Sequence, residues 1–237
     1  KEIFEEIETN GGMTPSRRLR DIANRFPEQI AFRDKRFGIW NEMSYKDFLM
    51  EVQYVGCALN YFGIQKTEKV AIHSENRPEW LIADIGVQAI GGITVGLYPT
   101  NPPAEVQYLL SHSESKILFA EDQEQVDKAL EVLDEVPNLS KIIYFEEKGL
   151  FRYDSEKLMR WDEFLKIGKE EYEKNKDFVN FCIDEIKSED VALMIYTSGT
   201  TGPPKASMLS HGNMEWTASI IPDLSFTPNI SLSLIHI

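Results

Sequence analysis

Between residues 69 and 145 the sequence repeats one pattern: Val70-Ala71-Ile72, then Ile93-Thr94-Val95-Gly96-Leu97, then Ile117-Leu118-Phe119-Ala120, then Ile142-Ile143-Tyr144-Phe145. Each run is short, rich in β-branched and aromatic residues, and apolar at consecutive positions. That suits a strand buried on both faces of a sheet. The intervening segments read as helices: Pro78 opens one that runs to about residue 90, a second spans 102–111, and a third spans 123–133. Strands alternating with helices of roughly ten residues imply βαβ units. The fold class is therefore α/β, a parallel sheet with flanking helices, with parallel strands near 70–73, 93–97 and 117–120 joined by right-handed crossovers. Ligands on such a sheet sit beyond the carboxyl ends of the strands.

Upstream of this core, Thr14 supplies a helix cap and Pro15 a first helical residue. Leu19, Ile22, Ala23 and Phe26 then recur on one face, and Pro27 ends the helix. Residues 30–34 and 39–43 look like strands joined by a turn at 35–38. Ser44, with Asp47 three residues on, caps a long helix whose apolar face is Phe48, Val52, Val55, Leu59 and Phe62. Downstream, residues 151–180 read as charged and irregular, with 169–174 a solvated helical face.

The chain has 237 residues, with 25 Lys and Arg against 39 Asp and Glu, a net charge of −14. This balance argues against a nucleic-acid binder, which needs a basic face for phosphate, and against a polybasic membrane anchor. At 42% hydrophobic residues the chain can bury a sizeable core. Its two cysteines, Cys57 and Cys182, make no disulfide framework and fit two buried thiols in a reducing compartment. The first ten residues are acidic and lack the apolar run of a secretory signal. The most apolar long stretch, 82–99, holds Asp84, Gln88 and four glycines, so it reads as a core helix and strand rather than a membrane span of about 20 apolar residues.

The chemistry concentrates where the apolar strand 191–196 runs into Thr197-Ser198-Gly199-Thr200-Thr201-Gly202-Pro203-Pro204-Lys205. Gly199 and Gly202 let the backbone take otherwise forbidden angles and approach a ligand closely. The hydroxyls and successive backbone N–H groups can hold phosphate oxygens, and Lys205 adds a point charge. The nucleotide P-loop, G-x-x-x-x-G-K-[ST], fails at both anchors: Pro204 stands at its second glycine, and Ala206 follows the lysine. Taken alone, the stretch would read as a Gly/Thr turn between strands.

It does not stand alone. Residues 196–211, YTSGTTGPPKASMLSH, closely resemble the phosphate-binding signature of adenylate-forming enzymes, the superfamily of acyl-CoA synthetases, luciferases and peptide-synthetase adenylation domains. One departure is Ala206, where members usually carry glycine. Upstream, Glu75-Asn76-Arg77-Pro78-Glu79-Trp80, Gly91-Gly92, Leu97-Tyr98-Pro99-Thr100, Val106-Gln107-Tyr108-Leu109-Leu110 and residues 111–119 are similar to long-chain fatty-acyl-CoA synthetases. The similarity covers residues 15–229. His73, His112 and His211 show no metal-ligand spacing. His211 reads as a helix-start residue.

The resemblance implies an ATP-dependent long-chain fatty acid–CoA ligase that uses ATP and Mg²⁺, with CoA as co-substrate. By similarity Thr197, Ser198, Thr200, Thr201 and Lys205 grip the β- and γ-phosphates, Gly199 and Gly202 let the loop wrap them, and Thr197 also contacts Mg²⁺. The implied partners are a long-chain fatty acid, ATP and CoA, with no nucleic acid. The implied location is cytoplasmic, with peripheral membrane contact left open. The family's adenine-binding, magnesium-binding and lid motifs are absent from these residues, so the catalytic residues are expected elsewhere. Residues 1–231 are thus expected to be part of an AMP-binding N-terminal domain, inactive on its own. Residues 232–237 are expected to be non-native, because one back-translation, CTG-TCT-CTT-ATA-CAC-ATC, matches a sequencing adapter. The alternative is a short, non-catalytic nucleotide- or acyl-binding module.

Overall fold

A computed structural model describes residues 12–197 and 202–224. Helix α1 (Pro15–Arg25) opens on Thr14, whose hydroxyl accepts from the Arg17 amide at 3.2 Å. Buried Arg17 donates to the backbone carbonyls of Asp184 and Ile186 at 2.9 and 2.7 Å, pinning α1 to a distant part of the chain. Strands β1 (Ile30–Arg36) and β2 (Ile39–Ser44) form an antiparallel hairpin outside the main sheet. They run further into the connection than the sequence suggested. Only Phe37 and Gly38 lie between them, at φ 51° and 83°. Two positive angles match the twist of the flanking strands in a two-residue turn. Helix α2 (Tyr45–Tyr61) is capped by the Ser44 hydroxyl, which accepts from the Asp47 amide at 3.1 Å, and it buries Phe48, Val52, Val55 and Leu59 as expected.

The alternating stretch then gives β3 (Lys69–His73), α3 (Pro78–Ala89), β4 (Ile93–Leu97), α4 (Pro103–Ser113), β5 (Ile117–Ala120), α5 (Gln123–Glu131) and β6 (Lys141–Tyr144). Beyond it come β7 (Leu158–Arg160), α6 (Trp161–Lys174), α7 (Phe178–Glu185), β8 (Val191–Thr197), β9 (Lys205–Ser210) and α8 (His211–Leu224). The seven strands lie in the order β7-β6-β5-β3-β4-β8-β9, and every neighbouring pair except β8–β9 is parallel. The three parallel strands expected at 70–73, 93–97 and 117–120 are borne out.

Side chains along these strands alternate between two cores. Val70, Ile72, Ile117, Phe119 and Ile143 join the layer built from α2, α3 and α6, whereas Ala71, Leu118, Ala120 and Ile142 join the layer of α4 and α5. Helices therefore cover both faces, which is why both sets of positions are apolar. The helix after β3 packs on one face and the helix after β4 on the other. The chain reverses its lateral direction there, so a crevice opens beyond the carboxyl ends of β3 and β4.

The expectation that residues 151–180 are irregular is overturned. β7 extends the sheet edge against β6, and α6 lies along α2. Phe119, Phe145, Trp161 and Phe164 interlock across this seam, with ring centroids 5.2–6.0 Å apart. The apolar face of α6, Trp161, Phe164, Leu165 and Gly168, has helical spacing, but dense charge on the opposite face hid it. Of the solvated face expected at 169–174, Lys169, Glu170, Glu173 and Lys174 are exposed, whereas Tyr172 packs against the core beside Tyr54.

Candidate functional site

β8 and β9 form an antiparallel ribbon in which Thr197 and Lys205 are cross-strand partners. The expected loop from Thr197 to Lys205 is thus shorter than proposed. Its first residue closes one strand and its last opens the next, because backbone pairing continues one residue past Tyr196. Residues 198–204 make the connection. Of these, Ser198, Gly199, Thr200 and Thr201 lie outside the described residues. Since β8 runs parallel to β4, the connection leaves the sheet at its carboxyl edge, where ligands of such sheets bind. The turn reading and the ligand reading meet in one object, a connection between two strands whose described residues Gly202 and Pro203 are exposed.

Both ends of that connection present polar groups to solvent. Thr197 and Lys205 are exposed, and Lys205 is in no ion pair among the described residues. Gly202 has φ 87°, and a β-carbon there would meet no atom within 4 Å. The backbone angle, not crowding, selects glycine at this position.

The floor of the connection was not foreseen. Tyr196, 5% exposed, places its hydroxyl 2.7 Å from His112 Nδ1. The Tyr108 hydroxyl donates to the Pro204 carbonyl at 3.1 Å. The three rings pack together, with His112 5.4 Å from Tyr108 and 5.6 Å from Tyr196. Burial pushes the Tyr196 phenol up to about 12, so it stays protonated at neutral pH and can donate to His112. Helix α4 thereby holds both the last buried residue of β8 and the proline exit of the connection. Tyr108 and His112 are four residues apart on one helix face, and that spacing is the signal available in the sequence.

The other histidines have different settings. His211 begins α8, as expected, and is fully buried, as is His73 at the carboxyl end of β3. Cys57 is buried and pushed up to about 12, and Cys182 is half-buried; both are free thiols. Among the described residues no group of three His, Cys, Asp or Glu could hold a metal ion. The exposed Thr197 hydroxyl is a hard oxygen donor of the kind Mg²⁺ takes. A separate apolar cavity of about 270 Å³ lies between α1, the β1–β2 hairpin, α2, α3 and α8, and includes Asp84. Gln88 donates to this acid at 2.8 Å, and burial pushes its carboxyl up to about 6. None of the sequence-predicted site residues lines this cavity.

A two-sided parallel sheet with a Gly- and Thr-rich connection at its carboxyl edge is the fold of the adenylate-forming CoA ligases. The chain matches the anthranilate CoA ligase AuaEII, solved with anthranoyl-AMP, at a TM-score of 0.68 and 22% identity, over 88% of this chain and 37% of that one. The AMP-binding enzyme family model matches residues 19–232, and the chain belongs to that family. Its curated relatives include the long-chain-fatty-acid–CoA ligase ACSBG2 of Xenopus laevis, 33% identical over 201 residues, covering 85% of this chain and 26% of the relative. ACSBG1 of Bos taurus is 32% identical over 184 residues, covering 78% and 25%. The chain spans about a quarter of the length of these relatives. Among the described residues, no helix is long and apolar enough to cross a membrane.

Proposed function

We propose that this chain is the phosphate-gripping part of an ATP-dependent long-chain fatty acid–CoA ligase acting in the cytoplasm. The observation that carries the reading is the pairing of exposed Thr197 with exposed Lys205 at the mouth of a connection whose exit glycine is left-handed. In the reaction a fatty-acid carboxylate oxygen attacks the α-phosphorus of ATP. A new C–O–P bond forms, and pyrophosphate leaves. The CoA thiol, losing its proton, then attacks the acyl carbon and displaces AMP to give a thioester. Thr197, Ser198, Thr200, Thr201 and Lys205 hold the β- and γ-phosphates, while Gly199 and Gly202 let the backbone wrap them. Thr197 would help hold Mg²⁺, which would supply neutralisation of phosphate charge. Catalysis of this type is mostly positioning and charge neutralisation.

We take residues 1–231 as part of an AMP-binding domain and 232–237 as non-native. The chain covers about a quarter of its relatives, and on this reading the adenine, ribose and carboxylate are positioned by the remainder. The 237-residue chain alone is therefore inactive. The test is acyl-CoA formation from a long-chain fatty acid, ATP and CoA, followed by mass spectrometry. A protein extended to the relatives' length should form the thioester, and the 237-residue chain should form none. An inactive extended protein that still binds ATP or fatty acid would replace this reading with a non-catalytic binding module.

A further inference from the structure

Strand β9 is the outer strand of the sheet, and none of its six residues is buried. A strand's register is well specified where one of its faces is packed, and a slip by one residue moves every side chain to the other face. Burial therefore does little to hold β9 in place. The β8–β9 ladder is also irregular at its base, between Val191 and Leu193. Register matters most at the open end. Thr197 and Lys205 are cross-strand partners, so their side chains share one face. Tyr196 and Ala206 form the next pair and face the other way, into the layer of α4. A one-residue slip of β9 would turn Lys205 toward α4 and leave Pro204 or Ala206 beside Thr197.

We propose that Tyr108 and His112 are positioning residues that lock this register and so keep Thr197 and Lys205 side by side on the face that meets the ATP phosphates. Each ties one strand. His112 Nδ1 lies 2.7 Å from the Tyr196 hydroxyl on β8, and the Tyr108 hydroxyl donates to the Pro204 carbonyl, one residue before β9, at 3.1 Å. The two side chains are one turn apart on α4, with rings 5.4 Å apart, so a single rigid element grips both strands from behind. Neither touches substrate; both act through the placement of Thr197 and Lys205. This role rests on the phosphate-binding reading of the connection, whereas the register itself does not. The effect falls on the phosphates, so the KM for ATP should respond and that for CoA should not.

Tyr108→Phe combined with His112→Leu removes both ties and keeps good helix formers on α4. In the 237-residue chain, nuclear Overhauser contacts between the backbones of Thr197 and Lys205 should be present in wild type and lost in the double variant. Those between Met194 and Met208, deeper in the ribbon, should persist in both. In a protein extended to the relatives' length, the double variant should raise the KM for ATP about tenfold or more, with kcat for thioester formation little changed. Simple destabilisation would lower kcat with the folded fraction and leave KM alone. His112→Asn in the Tyr108→Phe background, whose amide oxygen can accept the Tyr196 hydroxyl, should restore most of the loss. Thr197–Lys205 contacts that are absent from wild type, or that persist in the double variant, overturn the proposal. So does a KM for ATP that the double variant leaves unchanged while Lys205→Ala raises it. A KM unchanged by both, or an extended protein that makes no acid-dependent use of ATP, overturns the phosphate reading and the positioning role with it.

Discussion

The Tyr196 hydroxyl lies 2.7 Å from His112 Nδ1, and this contact ties the end of β8 to helix α4 directly beneath the proposed phosphate-binding connection. A strand end would otherwise fray where its neighbour turns away. Here a buried phenol and an imidazole from the next layer fix it. Tyr108 adds a second tie, to the Pro204 carbonyl, on the other side of the connection.

Tyr196→Phe removes the hydroxyl and leaves His112 Nδ1 without that partner. His112 is itself exposed, so water can replace the phenol, and the expected loss is about 0.5–1.5 kcal/mol, the net worth of one ordinary hydrogen bond. Urea denaturation of the 237-residue chain reads it. Tyr108→Phe should cost a similar amount, about 0.5–1.5 kcal/mol. A Tyr196→Phe variant as stable as wild type would show that the tie carries no stability.

Two glycines should fail for different reasons. Gly202→Ala meets no neighbour but must hold φ 87°, at an expected cost of about 1–2 kcal/mol for a left-handed L-residue. Gly168→Ala has an ordinary angle, but its β-carbon would overlap the Tyr54 carbonyl where α6 crosses α2. It should cost about 1–3 kcal/mol or more through overpacking. D-alanine introduced at Gly202 by semisynthesis should restore stability. At Gly168 it should not.

Much of this architecture was legible because burial on both faces of a parallel sheet leaves consecutive apolar residues in the sequence. Ile117-Leu118-Phe119-Ala120 admits few other readings. The cap at Thr14, the helix after Ser44 and the start of α8 at His211 were legible because each depends on local chemistry. Helix α6 was not, because its seam with α2 needs few apolar residues and only the folded partner shows that Trp161 and Phe164 belong to it. In the site, the residue types of 197–205 were readable, but Tyr108 and His112 were not. Their role depends on a tertiary contact spanning 84 residues between His112 and Tyr196.

Acid should destabilise the fold before ordinary carboxylates titrate. His73 and His211 are fully buried without a well-formed hydrogen bond to their ring nitrogens, and burial pushes both down to about 4. Unfolded histidine takes its proton near 6.5. Between those values the unfolded chain binds more protons, so stability falls as pH drops from about 6.5 to 4. Asp84 acts in the opposite sense. Its folded carboxyl, raised to about 6, takes a proton before the unfolded one does, and this adds stability as pH falls from about 6 to 4. Two histidines outweigh one acid, so the urea midpoint should decline across this window. The decline should be steeper in Asp84→Asn, which lacks the compensating group. A midpoint that stays flat or rises on acidification would contradict the histidine assignment.

Fatty-acid-dependent exchange of radiolabelled pyrophosphate into ATP tests the phosphate grip itself, because it reads the adenylation step without CoA. In a protein extended to the relatives' length, Lys205→Ala should slow exchange by about tenfold or more through loss of one phosphate charge. Gly199→Val with Gly202→Val should slow it further, since β-branched side chains resist the angles the connection needs. The 237-residue chain alone should show no exchange. Exchange in the extended protein that is unchanged by both sets of substitutions would contradict the assignment of residues 197–205 to ATP phosphates.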